Sequence, residues 1–343
     1  MDELLRYREP ILQTLRELKK EYKVRFKAHA WSEDVFERVF NFSEKGKLLR
    51  GALVVFSAQA HGSEIDRDVL QVAAAMELIH SSLLIHDDIM DQDRWRRGEK
   101  SIYTVYQEQA LHERVRDATH VGLSMGIGVA DSVFFLVFEI LSGLKSPYKD
   151  QLVATMSHEL VTVCLGQLDD LWPRSISKES ILELYKNKTG RYSFSLPLMA
   201  GAQLAGVARA DLDSYVDFGL SMGPLFQIAD DLLGIYGTQA EIGKPVGSDI
   251  REAKQTLYWY LLMEKVSQQE KEQLLSFFGK EVTNDDIVTV TTLIKKYGID
   301  KELDLIKESI KNNALETIKT VHMEPKSREV LQELVAYVTT RRK

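Results

Sequence analysis

Three aspartates within five residues, Asp87, Asp88 and Asp91, stand inside an otherwise apolar stretch running from Met76 through His80 and His86. On an α-helix, at ~100° per residue, Asp87 and Asp91 fall about 40° apart and His80 about 20° from Asp87. Leu84, Ile85, Ile89 and Met90 around them imply that the helix is buried. Carboxylates buried so densely need a compensating positive charge. A hard divalent cation supplies it, and an acidic cluster without cysteines points to magnesium and a phosphorylated ligand. A solvated acidic helix end is the plain alternative, but it leaves the apolar residues among the acids unexplained. Arg94, Arg96 and Arg97 follow directly. The planar guanidinium fork suits diphosphate oxygens.

A second stretch, Phe226-Gln227-Ile-Ala-Asp230-Asp231-Leu-Leu-Gly234, repeats the theme. Gln227 and Asp231 are one helical turn apart and share a face. A buried glutamine beside two buried aspartates needs partners. Behind it, Gly243-Lys244-Pro245-Val-Gly247-Ser-Asp249-Ile-Arg-Glu-Ala-Lys254-Gln-Thr256 brings lysines near the acidic helix end, as a substrate-covering loop would. Two acid-rich helix ends facing across a bundle would clamp a diphosphate through bridging metals.

The elements that must position these residues are helices. The chain has 343 residues, 44% hydrophobic, with only 20 glycines and 7 prolines, which argues against an all-β or linker-rich protein. Apolar residues recur at helical spacing: Leu4, Leu5, Ile11, Leu12, Leu15 and Leu18 near the start; Leu182, Leu184 and Tyr185 after Ser180; Val330, Leu331, Leu334, Val335 and Val338 near the end. Turn signals separate segments of helical length at Gly62-Ser63, Gly98-Glu99, Lys145-Ser146-Pro147, Trp172-Pro173, Gly237 to Gly247 and Tyr297-Gly298. The expected fold is all-α, one large helical bundle over residues 1–343 with an apolar cavity between facing helices. Val133-Phe-Phe-Leu-Val-Phe138, apolar all round, predicts a deeply buried helix or a subunit interface.

Net charge is −7 with no sustained basic stripe, which excludes nucleic acid as the expected partner. The single cysteine, Cys164, fits a reducing, cytoplasmic setting. The charged first twenty residues carry no signal-peptide core, and the longest apolar run stops at Glu139, so no membrane span is expected.

With these motifs in order, the sequence resembles the trans-prenyltransferases, the family of farnesyl and geranylgeranyl diphosphate synthases. The likeness runs from about Gly46 to Thr256: Gly46-Lys47-Leu-Leu-Arg50, Asp87-Asp88-Ile-Met-Asp91 with Arg96-Arg97, Gly166-Gln167-Leu-Asp-Asp170, Lys188-Thr189-Gly190, Phe226-Gln227-Ile-Ala-Asp230-Asp231 and Gly243-Lys244-Pro245. The resemblance implies about three magnesium ions held by Asp87, Asp88, Asp91, Asp170, Asp230 and Asp231 around an allylic diphosphate. Arg96, Lys188, Lys244 and Lys254 would touch that diphosphate. Lys47, Arg50, His80 and Arg97 would hold isopentenyl diphosphate, with the basic Arg341-Arg342-Lys343 closing over it. Lys188, Thr189 and Gln227 would sit at the reacting centre, Thr189 and Gln227 beside the developing carbocation. A homodimer is implied as well.

Two departures stand out. Many members close the second motif with aspartate where this chain has Gly234, and many have proline after the first arginine where it has Gly51. Neither removes a charge that the chemistry requires; the first implies modestly altered metal binding.

The product is expected to grow along a tunnel whose floor the resemblance assigns to Ser82 and Leu83. Short-chain members place a phenyl ring there; the small Ser82 points past farnesyl to geranylgeranyl, with farnesyl and longer chains as alternatives. A terpene cyclase is disfavoured because the nearest match to its second metal motif, Asp285-Asp286-Ile-Val-Thr289, ends in Leu293 rather than glutamate. A non-catalytic partner subunit should have lost acids from the first motif, and this chain keeps them.

Overall fold

The computed structural model describes residues 1–238, 243 and 245–340. The chain forms two compact units, Met1–Met156 with Pro197–Leu212, and Ser157–Leu196 with Asp213–Lys343. The expected all-α class is borne out: among the described residues the strands are a single two-stranded hairpin.

The first unit contains α1 (Asp2–Leu5), α2 (Arg8–Arg25), α3 (Ser32–Glu44), α4 (Leu49–Ala60), α5 (Arg67–Met90), the hairpin β1 (Trp95–Arg96) and β2 (Glu99–Lys100), α6 (Ile102–His112) and α7 (Ala118–Ser142). Its axis is α5, packed by α2, α3, α4, α6 and α7. Asp66 starts α5 by accepting the Val69 N–H at 2.9 Å, as an N-cap should. From Val72 to Ala75 its residues are inaccessible on every face, which marks a helix surrounded by others. Leu4, Ile11, Leu12, Leu15 and Leu18 are buried as their spacing predicts, whereas Leu5 lies half exposed.

The hairpin was not expected. Trp95 pairs with Lys100 and Arg96 with Glu99, leaving Arg97 and Gly98 as a two-residue turn with φ of +55° and +77°. That is the turn geometry whose twist matches paired strands. It fixes both arginines in rigid backbone immediately after α5.

As expected, no long uninterrupted apolar run is present among the described residues, yet two helices qualify as membrane spans by length and average composition. They are residues 67–90 and 118–142. Their Gly, Ala and Ser positions break up uninterrupted runs yet leave the average apolar. In α5 that stretch is mostly buried within the unit, whereas α7 leaves Ile127, Phe135 and Phe138 on the surface while burying Val133, Leu136 and Val137. The stretch from Val133 to Phe138 is therefore two-faced rather than buried all round.

The second unit takes most of α8 (Lys149–Leu171), then α9 (Lys178–Tyr185), a π-helical segment (Lys186–Ser195) and the first residue of α10 (Leu196–Leu204). It continues with α11 (Asp213–Tyr236), α12 (Ser248–Arg251), α13 (Leu257–Lys265), α14 (Gln268–Phe277), α15 (Asn284–Tyr297), α16 (Ile299–Thr320) and α17 (Pro325–Thr340). Ile181, Ile228, Leu257, Trp259, Leu262, Ile294 and Leu303 belong to one buried apolar cluster, with Trp259 stacked on Phe278 at 4.2 Å between centroids.

The π-helical segment lies against α11. Glycines set their separation: a Cβ on Gly190 would stand 2.6 Å from the Gly219 carbonyl oxygen, and one on Gly223 2.7 Å from the Gly190 nitrogen. Only bare backbone on both sides fits. Widened turns of this kind recur where side chains must be re-aimed for function.

Candidate active site

In the first unit the C-terminal end of α5 carries the expected acids. Asp88 and Asp91 are buried and Asp87 is partly exposed. Arg96 reaches them from the hairpin: its guanidinium lies 2.5 Å from Asp88 Oδ1, 3.3 Å from Asp93 Oδ2 and 3.5 Å from Asp87 Oδ2. So Arg96, expected on the diphosphate, is also the counter-charge of the acid cluster. Asp93, 1% exposed, joins a cluster from which sequence reasoning omitted it. Its signal was present in Asp91-Gln-Asp93, one more acid before the arginines.

The compensation is incomplete. Burial pushes the Asp88 carboxyl up to about 7 against the pull of Arg96, and among the described residues Asp88 Oδ2 has no hydrogen-bond partner. A buried carboxylate oxygen without a donor is costly. Carboxylate oxygens are the donor set a hard divalent cation takes, so Asp87, Asp88 and Asp91 fit magnesium.

Earlier on α5, a second group forms around His80. Burial holds its pKa well below the ordinary histidine value, and Arg50, Arg97 and Arg96 reinforce the effect. His80 is therefore a neutral imidazole among guanidiniums. Arg97 donates to the Phe42 carbonyl at 2.6 Å and lies over the Phe42 ring, 4.8 Å from its centroid. Gly46 makes room for it, since a Cβ there would stand 3.1 Å from Arg97 Nη2. Lys47 is exposed just before α4, where Leu48 turns the chain with φ +55°.

Glu77, also missed from the sequence, underlies this group. It is 2% exposed and accepts the Gly51 N–H at 2.7 Å. Burial raises its pKa, while Arg50, the Gly51 N–H and Arg97 pull it back. A carboxylate from α5 thus caps the first turn of α4 and faces two of the expected substrate-binding arginines.

Of the two residues expected to floor a tunnel, Ser82 is fully buried and donates to the Ala130 carbonyl of α7 at 2.8 Å. It sits in the α5–α7 contact. Leu83 is partly exposed.

In the second unit, Lys188 of the π-helical segment donates to Asp170 of α8 at 2.6 Å, joining two residues expected at the site. Thr189 donates to Gln227 Oε1 at 2.9 Å, and Gln227 Nε2 donates to Asp231 Oδ1 at 2.9 Å. The partners that a buried Gln227 required are present. The other oxygen of Asp231 accepts the Tyr185 hydroxyl, which in turn accepts the Leu257 N–H at 2.9 Å. Burial drives the Asp231 carboxyl upward, with Asp249 and Asp230 adding to it and the Tyr185 and Gln227 bonds opposing. Tyr185 read as one more member of an apolar stripe, and nothing in its spacing marked the hydroxyl.

Asp249 carries a role that the sequence reading left unassigned. Its Oδ2 lies 3.2 Å from the point where a Cβ on Gly234 would stand. The Gly247 N–H, two residues away, donates to the Gly234 carbonyl at 3.0 Å. Asp249 thereby brings a third carboxylate to the end of α11, beside Asp230 and Asp231. Lys254 pairs with Glu252 at 3.1 Å. Lys244 and Arg341-Arg342-Lys343 lie outside the described residues.

The polyprenyl synthetase family model matches residues 30–294. The chain is 31% identical over 288 residues to the geranylgeranyl diphosphate synthase of Sulfolobus acidocaldarius, a match covering 82% of each chain. It superposes with TM-score 0.91 and 26% identity on geranylgeranyl pyrophosphate synthase from Corynebacterium glutamicum, a structure complexed with isoprenyl diphosphate and magnesium, over 99% of both chains. Against polyprenyl synthase from Caulobacter crescentus, complexed with calcium and isoprenyl diphosphate, the TM-score is 0.81 at 26% identity, over 100% of this chain and 98% of that one. With both acidic motifs and both cationic groups inside the matched region, the chain belongs to the polyprenyl synthetase family and is a trans-prenyltransferase.

Proposed function

We propose that this chain condenses isopentenyl diphosphate with allylic diphosphates (dimethylallyl, geranyl and farnesyl) and releases geranylgeranyl diphosphate. The observation that carries the reading is the group around His80. A neutral imidazole among Arg50, Arg97 and Arg96, beside an acid cluster on the same helix, suits a second diphosphate that is held but not ionised. A cyclase, working on one diphosphate, has no use for it.

In this reading Asp87, Asp88, Asp91, Asp170 and Asp230 would hold about three magnesium ions, with Asp249 as a further acid, whereas Asp231, expected among the ligands, spends its oxygens on Tyr185 and Gln227. Magnesium held by these acids would supply positive charge to offset the leaving diphosphate. Arg96, Lys188, Lys244 and Lys254 bind that diphosphate. Lys47, Arg50, His80 and Arg97 bind isopentenyl diphosphate. Thr189 and Gln227 present oxygens to the developing allylic cation, and apolar walls keep water from quenching it. With no side chain among the described residues poised as a general base, the departed diphosphate takes the proton lost from the new chain. Residues 1–343 act as one synthase domain, since the family match runs through both units.

Twenty carbons rather than fifteen follows from small Ser82 at the expected floor, with relatives named as geranylgeranyl diphosphate synthases in support. The exposed Ile127, Phe135 and Phe138 of α7 favour a homodimer, and the lone free thiol of Cys164 favours the cytoplasm. The test is incubation with Mg²⁺, isopentenyl diphosphate and each allylic primer in turn, followed by product-length analysis. Geranylgeranyl diphosphate is expected from all three primers; hydrocarbon release without isopentenyl diphosphate would instead indicate a cyclase.

A further inference from the structure

The hydrogen bonds around Gln227 run in one direction. The Leu257 N–H can only donate, so the Tyr185 oxygen accepts it and the Tyr185 proton goes to Asp231. Asp231, filled on one oxygen, accepts the Gln227 amide nitrogen on the other. With its nitrogen committed, Gln227 turns its carbonyl oxygen to Thr189, which must then donate. The Thr189 oxygen is left with lone pairs to which no described residue donates. Were the amide reversed, its nitrogen would occupy one of those lone pairs and set a partial positive charge beside the reacting centre.

We propose that Tyr185 and Asp231 are positioning residues of the condensation, acting through the Gln227 amide to keep the Thr189 and Gln227 oxygens turned toward positive charge. This rests on the placement of Thr189 and Gln227 beside the allylic cation. It also assigns Asp231 a task other than metal ligation, since both its oxygens are engaged within the unit. The anchor is backbone: Leu257 begins α13, whose Thr256 cap holds the Trp259 N–H at 3.4 Å. The orientation of the amide is thus set from the buried side rather than by the substrate.

The test is a double-mutant cycle on turnover, with Tyr185→Phe and Thr189→Val made singly and together. Each single change is expected to lower kcat about tenfold, one hydrogen bond's worth, with KM for isopentenyl diphosphate within about twofold. The pair is expected to lose clearly less than the product of the two single losses, because Tyr185 and Thr189 act through the one Gln227 amide. Multiplied losses, or full kcat in either single variant, would overturn the proposal while leaving prenyl transfer standing. A wild-type chain that incorporates no isopentenyl diphosphate would remove the functional reading itself, and the proposal with it.

Because Tyr185→Phe strands two buried partners, Asp231→Asn provides a second route. It is expected to lower kcat similarly, with the Mg²⁺ affinity in the presence of inorganic diphosphate, read by calorimetry, unchanged within about twofold. A several-fold weaker Mg²⁺ affinity would make Asp231 a ligand and overturn the assignment.

Discussion

Asp249 occupies the side of α11 that Gly234 leaves open, its Oδ2 3.2 Å from where a Cβ would stand. A carboxylate from α12 thus already stands where a side chain at 234 would project. Restoring aspartate at 234 should therefore harm the protein. It adds a carboxylate against Asp249 while Asp230 and Asp231 are already close enough to be felt. Gly234→Asp is expected to cost about 1–3 kcal/mol in urea unfolding without metal, from crowding and like-charge repulsion, and to lower activity. A gain in Mg²⁺ affinity with unchanged stability would show that the site is short of an acid after all.

Glu77 provides a pH signature. Its folded pKa is raised above the ordinary 4.5, so it favours the folded state most fully below that value. The contribution declines as pH rises from there through the folded pKa. Glu77→Gln keeps an acceptor for the Gly51 N–H and removes the titration. The variant should lose less stability than wild type between about pH 4.5 and neutrality, measured as urea midpoints at several pH values without metal. Parallel curves would mean that the Glu77 charge is already fully offset by its arginines.

How far the site was legible depended on whether its signal lay in residue type or in packing. The acids at 87, 88, 91, 230 and 231 announced themselves as charge inside apolar helices, and the helical class followed from periodicity. Gly51 was read only as a missing proline. In the fold it lies where α4 approaches α5, a Cβ there meeting the Ala73 carbonyl oxygen at 2.9 Å, and its N–H serves Glu77. Tyr185 and Asp249 were equally opaque. One acts through a hydroxyl at the end of an apolar stripe, the other from a short helix that folds back on α11, and neither distance is written in sequence spacing. The π-helical segment escaped because its widened turn departs from the 3.6-residue period used to find helices.

Ser82 and Leu83 should behave differently. The Ser82 hydroxyl is spent on the Ala130 carbonyl inside the α5–α7 contact, so a phenyl ring there must push helices apart. Ser82→Phe is expected to shorten the product and to cost about 1–3 kcal/mol. Leu83→Phe, at a partly exposed position, should shorten the product with little loss of stability. Product chromatography beside thermal unfolding separates the two, and unchanged products in both variants would place the floor elsewhere.

Lys188 and Asp170 form a partly buried pair, 2.6 Å apart. Removing only the cation takes a counter-charge from the Asp170 carboxylate, so Lys188→Met should destabilise more than Lys188→Met combined with Asp170→Asn. Turnover should stay low in both, because the reaction needs the ammonium itself. Recovery of activity along with stability in the double variant would reduce Lys188 to a structural cation.

Asp88 allows stability and function to be set against each other in one variant. Its buried carboxyl is pushed up to about 7 and keeps one oxygen to which no described residue donates, so without metal it strains the first unit. Replacing it by asparagine removes a charge and leaves Arg96 with Asp93 and Asp87. In EDTA, Asp88→Asn should therefore match or exceed wild type in unfolding free energy. With Mg²⁺ and inorganic diphosphate the order should reverse: a ligand at a hundred times its Kd adds about 2.7 kcal/mol to a protein that binds it, and the variant should gain little of this. Turnover should fall by orders of magnitude although the fold survives. The crossing of the two stability orders is the diagnostic feature, because a purely structural aspartate would weaken the protein under both conditions and a dispensable one under neither.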